Sequence, residues 1–154
     1  MKRILSLIAI VAVLVSAMVS CDLLFGSVAG EGDVTVVVEA ADGSYEVYKT
    51  YLESVENKSE GAKGVIEHLN QGKDKLHLVM VDSTYGAYVS EIGSIKQNEA
   101  NSEYVIIYTS VASDSYEGAP SIDYDGTTLY SSGVGLSGMT VEPGTVILFR
   151  IVKY

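Results

Sequence analysis

The side chains with the most distinctive chemistry are one cysteine, two histidines and eleven tyrosines, set against two phenylalanines and no tryptophan. Cys21, the lone thiol, has no partner for an intrachain disulfide, and neither His68 nor His77 has a cysteine with which to build a zinc site. Asp123-Tyr124-Asp125-Gly126 places two carboxylates two apart before a glycine, a fragment of what calcium loops use. It lacks the later ligands, notably the bidentate Glu, and reads as a solvated acidic loop. No GxSxG, HExxH or phosphate-binding glycine loop occurs, and the glycines of 133–138 follow an acidic loop rather than a buried strand. The sequence therefore offers no catalytic residue, metal ligand set or resident cofactor, and an enzyme is not expected. Tyrosine remains, with a flat apolar face and a polar tip suited to stacking on sugars or ring ligands. Tyr85, Tyr88, Tyr116, Tyr124 and Tyr130 fall in or beside expected loops; the alternative is that they are sheet residues selected for β propensity.

What precedes Cys21 sets the compartment. Lys2 and Arg3 supply a positive start, residues 4–19 are apolar apart from Ser6 and Ser16, and Ser20 puts a small residue before the thiol. The run is shorter than the roughly 20 residues of a spanning helix. Met18-Val19-Ser20-Cys21 resembles the lipobox of bacterial lipoproteins. The resemblance implies that residues 1–20 are a signal peptide and that Cys21 carries acyl chains such as palmitate. The protein would then be anchored on the extracytoplasmic face of the cell membrane. An ordinary cleaved signal with an incidental cysteine, or an uncleaved anchor, are the competing readings.

Loss of Lys2 and Arg3 with the leader takes the formal charge from −10 to −12. So acidic a chain repels nucleic acid and anionic headgroups alike, which leaves covalent lipid as the means of holding a membrane. One acyl chain binds marginally at ~0.8 kcal/mol per buried CH₂, and two anchor stably.

The remaining elements have to position the tyrosines. Residues 21–32 comprise the lipidated cysteine and a glycine-rich flexible tether, and 33–154 form one domain. Val34 to Ala41 alternates as a half-buried strand, Asp42-Gly43-Ser44 turns it, and Ser44 to Val55 returns as the second arm of a hairpin. Asn57-Lys58-Ser59-Glu60 has capping-box spacing. Ala62, Val65, Ile66 and Leu69 then recur at helical period, with Gly72 where a helix end turns left-handed. Leu76 to Asp82 is apolar enough for a central strand. Strands follow at Ala87 to Ile92, Glu103 to Ser110 and Thr145 to Val152, with a short one at Thr127 to Tyr130 inside an acidic, turn-rich stretch.

Strand, strand, helix and then several strands is the pattern of an α+β, β-grasp-like mixed sheet packed on one short helix. Val34 to Glu39, Gly61 to Leu69, Ala87 to Gly93, Tyr104 to Tyr108 and Val141 to Phe149 resemble successive blocks of the transcobalamin C-terminal-domain-like family. That family includes many bacterial surface lipoproteins of unknown function. The resemblance implies a soluble-ligand-binding β-grasp domain whose ligand face lies on the later strands and loops, and hence Tyr88, Tyr104, Tyr116, Tyr124 and Tyr130 as ligand-binding residues. Tyr104 stands where the family commonly has Trp, and no segment here reads as the helical domain that completes a cobalamin site in the vitamin carriers. Two functions follow: a non-catalytic binding module for a corrinoid-like or glycan ligand, or a structural or protein-interaction module at the cell surface that engages a partner protein.

Overall fold

The computed structural model describes residues 28–73, 75–81 and 88–154. The leader, Cys21 and Tyr85 lie outside the described residues.

Two strands expected from alternation, β2 (Val34–Glu39) and β3 (Tyr45–Thr50), form the antiparallel hairpin, with Val37 opposite Val47. β10 (Val146–Lys153) lies parallel to β2 on one side and antiparallel to β7 (Glu103–Thr109) on the other. The last strand therefore enters the middle of the sheet. β9 (Thr127–Ser131) pairs with β7, and β8 (Ser121–Tyr124) with β9. Val28–Ala29 form β1, parallel to β3, which completes the strand order β1-β3-β2-β10-β7-β9-β8. This corrects the expectation of a flexible tether through residue 32: the open edge of β3 offers backbone partners that Val28 and Ala29 take up.

Helix α1 (Ala62–Gln71) buries Ala62, Val65 and Ile66 as the 3.6-residue stripe requires. Its ends differ from expectation. Asn57 and Glu60 make no capping box; a 3₁₀ turn at Lys58–Glu60 precedes the helix, and Gly61, at φ 61°, is the boundary residue. Gly72 is extended at φ −64° rather than left-handed. Gly64 has a packing reason for its place in the helix, since a Cβ there would come 2.1 Å from the Asn57 carbonyl oxygen.

Leu78–Val81 (β4) is not the central strand its apolarity suggests. It is an edge of a separate three-stranded sheet with β5 (Tyr88–Ile92) and β6 (Ile95–Lys96). Apolarity over so short a run does not distinguish a central strand from one covered on a single face. Glu46 on β3 ties this small sheet to the main one, its Oε1 accepting from the Ser94 N–H at 3.0 Å.

The main sheet thus has two unlike faces. The first, with Val34, Val36, Val38, Ile147 and Phe149, packs against α1 and the small sheet through Val65, Ile66, Val89 and Ile92. The second carries Val37 and Leu148, joined by Tyr108, Leu129 and Tyr124 in a smaller core. Val37 is fully buried, so β2 is covered on both faces and not half-buried as its pattern suggests.

Candidate functional site

The second face is where the side chains with chemistry collect. Alternation along each strand puts Thr35, Val37 and Glu39 of β2 on it, with Tyr45, Val47 and Lys49 of β3 beside them. Val146, Leu148, Arg150 and Val152 of β10 and Tyr104, Ile106 and Tyr108 of β7 continue the same face.

The β8–β9 hairpin reaches over part of it. Asp125 and Gly126 both have positive φ, 47° and 76°, and form the two-residue loop between Tyr124 and Thr127, the conformation of a type I′ hairpin turn. The Asp123-Tyr124-Asp125-Gly126 stretch is therefore turn chemistry, and Asp123 Oδ1 is engaged by the Thr128 hydroxyl at 2.8 Å. β3 and β8 lie toward opposite ends of the strand order, yet the Tyr45 and Tyr124 rings meet edge to face with centroids 5.1 Å apart. The sheet is curled, and its two ends approach one another.

A cleft of about 280 Å³ remains between them, lined by Val28, Val47, Val146, Thr35, Lys49, Asp125 and Thr127, with Tyr124 among them. Beyond Tyr45 the face is polar at its centre. Arg150 Nη2 lies 3.4 Å from Glu39 Oε1, and the buried Arg150 Nε has no hydrogen-bond partner. Burial raises the Tyr108 phenol above its ordinary range, with Arg150 opposing that shift and Tyr154, Tyr116 and Glu39 adding to it. Burial likewise raises Tyr124, helped by Asp125 and Tyr45.

The five tyrosines are distributed unequally. Tyr124 is 8% exposed and belongs to the smaller core, although it also walls the cleft. Tyr104 lies on the second face, its ring 6.0 Å from that of Tyr154. Tyr116 is exposed and rests against the Gly133 backbone. Tyr130 pairs with Thr109 and so points to the opposite side from Tyr108, while Tyr88 stands exposed on the small sheet. Among the described residues, neither ring pair joins two of the five. Arg150 and Glu39 were not singled out in the sequence; the one signal is a charge inside the apolar run of Thr145 to Val152.

The histidines lie elsewhere. His77 Nε2 is 3.4 Å from Glu91 Oε2, and Lys96 bonds the same carboxylate. Lys96 first, then His77, holds the Glu91 carboxyl below its usual range. His68 borders a hollow of about 270 Å³ beside α1 with Glu56, Asn57, Glu67 and Gln71. Among the described residues, no three His, Cys, Asp or Glu side chains converge as a metal site would require.

No family model and no curated protein matches the chain. Solved structures do. A provisionally assigned metal-binding protein from Ruminococcus gnavus ATCC 29149 superposes with a TM-score of 0.56 at 12% identity, over 80% of this chain and 99% of that one. Haptocorrin, solved in complex with Cbi, gives a TM-score of 0.53 at 15% identity over 79% of this chain. The fold is transcobalamin-like. This chain spans 25% of the haptocorrin chain, and at these identities the likeness is one of fold alone. In the transcobalamin-like fold of this protein, the curled main sheet and α1 account for the α+β architecture that the strand and helix periods imply.

Proposed function

We propose that the protein is a membrane-anchored surface lipoprotein whose folded domain binds a small ligand without catalysing a reaction on it. The observation that carries the binding reading is the cleft between the two approaching ends of the sheet, lined by apolar and polar side chains together. That is the usual composition of a small-molecule site. Its volume of about 280 Å³ falls just below the usual range of such sites, roughly 300 to 1,000 Å³. It suits one ring of a glycan, or the edge of a corrinoid whose remainder rests on a second protein. Haptocorrin's complex with Cbi supports the corrinoid arm of this reading through fold alone. Anchoring is supported by the leader and the Ser20-Cys21 junction, and places the domain on the extracytoplasmic side.

The test uses the full chain. Cys21→Ser moves it from the detergent phase to the aqueous phase and blocks processing; continued partition with membranes removes the anchor. Titration with cobalamin, cobinamide and cell-wall oligosaccharides, followed by tyrosine emission or calorimetry, gives saturable binding that Thr127→Lys, a longer side chain in the cleft lining, weakens at least tenfold. Absence of binding throughout the panel at millimolar concentration overturns the ligand reading.

A second reading, a protein-interaction module, is favoured by one observation. β4 is an edge strand, and Val79, Val81 and Tyr88 are exposed on the small sheet. Such an edge offers unpaired backbone groups to a partner strand.

A further inference from the structure

β1 is the shortest strand of the main sheet and the most lightly held. Val28 and Ala29 pair in parallel with Val47 and Tyr48 on the edge of β3 and, among the described residues, meet no strand on their other side. Val28 is 57% exposed and lines the cleft together with Val47 and Val146. Ala29 and Gly30 border a second hollow, of about 180 Å³, with Tyr48, His68 and Leu69. With open space on both of its faces, β1 buries little apolar surface, and burial is what keeps so short an edge strand from opening.

The chain that follows is nevertheless fitted to β3. Gly30 has φ 81°, and a Cβ there would come 2.5 Å from the Lys49 carbonyl oxygen, while a Cβ on Gly32 would overlap the Thr50 carbonyl group. Glycine at both positions lets residues 30–32 run against the β3 backbone, an approach that larger residues forbid. The contact ends at Asp33, which is fixed twice. Its Oδ1 accepts from the Leu52 N–H at 2.9 Å, and its carbonyl accepts from the Gly144 N–H at 2.6 Å. Residues 28–32 are therefore a strap, firm at Asp33 and weakly held at Val28.

A weakly held piece of the cleft lining makes docking and binding one equilibrium. A ligand seated in the cleft reaches Val28 in its lining position only while β1 is docked, so it binds the docked form better and shifts the strap toward it. Reciprocally, release of the strap strips Val28 from the cleft and lowers its affinity by the same factor. We propose that residues 28–32 are a ligand-coupled strap: docking on β3 completes the cleft, occupancy of the cleft holds the docked form, and release lengthens the segment between Cys21 and the folded domain. The inference rests on the reading of the cleft as the ligand site and adds a means of regulating that site.

The experiment uses the full chain with cobalamin, cobinamide and chitotetraose as probes, taking forward whichever binds most tightly. Hydrogen exchange over residues 28–32 reads docking, and calorimetry reads affinity. Saturation slows that exchange about fivefold or more. In Gly32→Val, which cannot dock, residues 28–32 exchange as an open chain while Val34–Glu39 stays protected, and Kd rises by the factor of the slowing to within about twofold. Val28→Ala leaves the Gly30 and Gly32 contacts in place, raises Kd severalfold and removes part of the slowing. If Gly32→Val frees the strap yet binds as the parent does, or if saturation leaves the exchange of residues 28–32 unchanged, the coupling is overturned while the binder reading stands. Should Gly32→Val unfold, Val28→Ala decides: an unchanged Kd overturns the strap, and a raised Kd with faster strap exchange at saturation upholds it. Failure of all three probes to bind overturns the ligand reading and the coupling together.

Discussion

The two faces of the main sheet are built from the same strands and put to different ends. On the first, Val34, Val36, Val38, Ile147 and Phe149 meet the apolar stripe of α1 and the small sheet, and Glu46 on that face is hydrogen-bonded to the Ser94 N–H and the Tyr48 hydroxyl. On the second, the alternate residues of those same strands include Glu39, Arg150, Tyr45 and Tyr108, and the cover is one hairpin folded over part of the surface. Burial of aliphatic surface stabilises at roughly 25 cal/mol per Å² with no demand for partners, whereas a partly buried ion pair gains little. The first face therefore holds the domain together. The second carries groups whose stabilising value is small.

Three measurements break or sharpen that contrast. The largest effect belongs to the first face: Ile66 is fully buried, and Ile66→Ala costs ~2 to 5 kcal/mol in chemical unfolding. An unchanged midpoint would remove α1 from the core. On the second face, Arg150→Met changes stability by less than about 1 kcal/mol, because the Glu39 pair is long and partly solvated and an unbranched apolar chain can follow the same path. A loss comparable to that of Ile66→Ala would make Arg150 structural and erase the distinction.

The smallest effect is in alkali. Burial, with a hydrogen bond to Glu46 adding to it, pushes the Tyr48 phenol from the ordinary 10.0 up to about 12. Tyr48 belongs to the first face through its pairing with Val36. A phenol raised in the folded state stays protonated while the unfolded chain ionises. The stability it contributes is therefore fully present below pH 10, and is lost as pH rises from about 10 through about 12. Phenolate absorbance should show a late step that Tyr48→Phe abolishes; a titration without that step would mean the ring is more open than its packing indicates.

The sequence made the first face legible and the second largely not. Alternation in Val34 to Glu39 and in Thr145 to Val152, and the stripe at Ala62, Val65, Ile66 and Leu69, are periodic signals set by burial against one partner, and all appear in the fold. The curl of the sheet is a long-range event. It brings Tyr124 to Tyr45, and nothing local to Asp123–Gly126 announces it beyond an Asp-Gly turn that also looked like part of a cation loop. Loop position was also a poor guide to the tyrosines: Tyr124 and Tyr130 lie within strands, and Tyr45 and Tyr108, inside hairpin and strand, stand beside the Glu39–Arg150 pair. Arg150 was hidden by its setting, because one charge in an eight-residue strand hardly disturbs the alternation.

The docking of β1 sets a length. If Cys21 carries the lipid, only the seven steps from it to Val28 separate the headgroups from the folded body, and at most about 3.6 Å per residue makes that a leash of about 25 Å. Released as far as Asp33, the leash would reach about 43 Å by the same measure. Val28 also lines the cleft, so under that anchoring the cleft would lie within one small-domain diameter of the bilayer. At that height the proposed site would be open to a ligand emerging from, or delivered to, a membrane-embedded protein, and out of reach of one fixed in a distant outer layer.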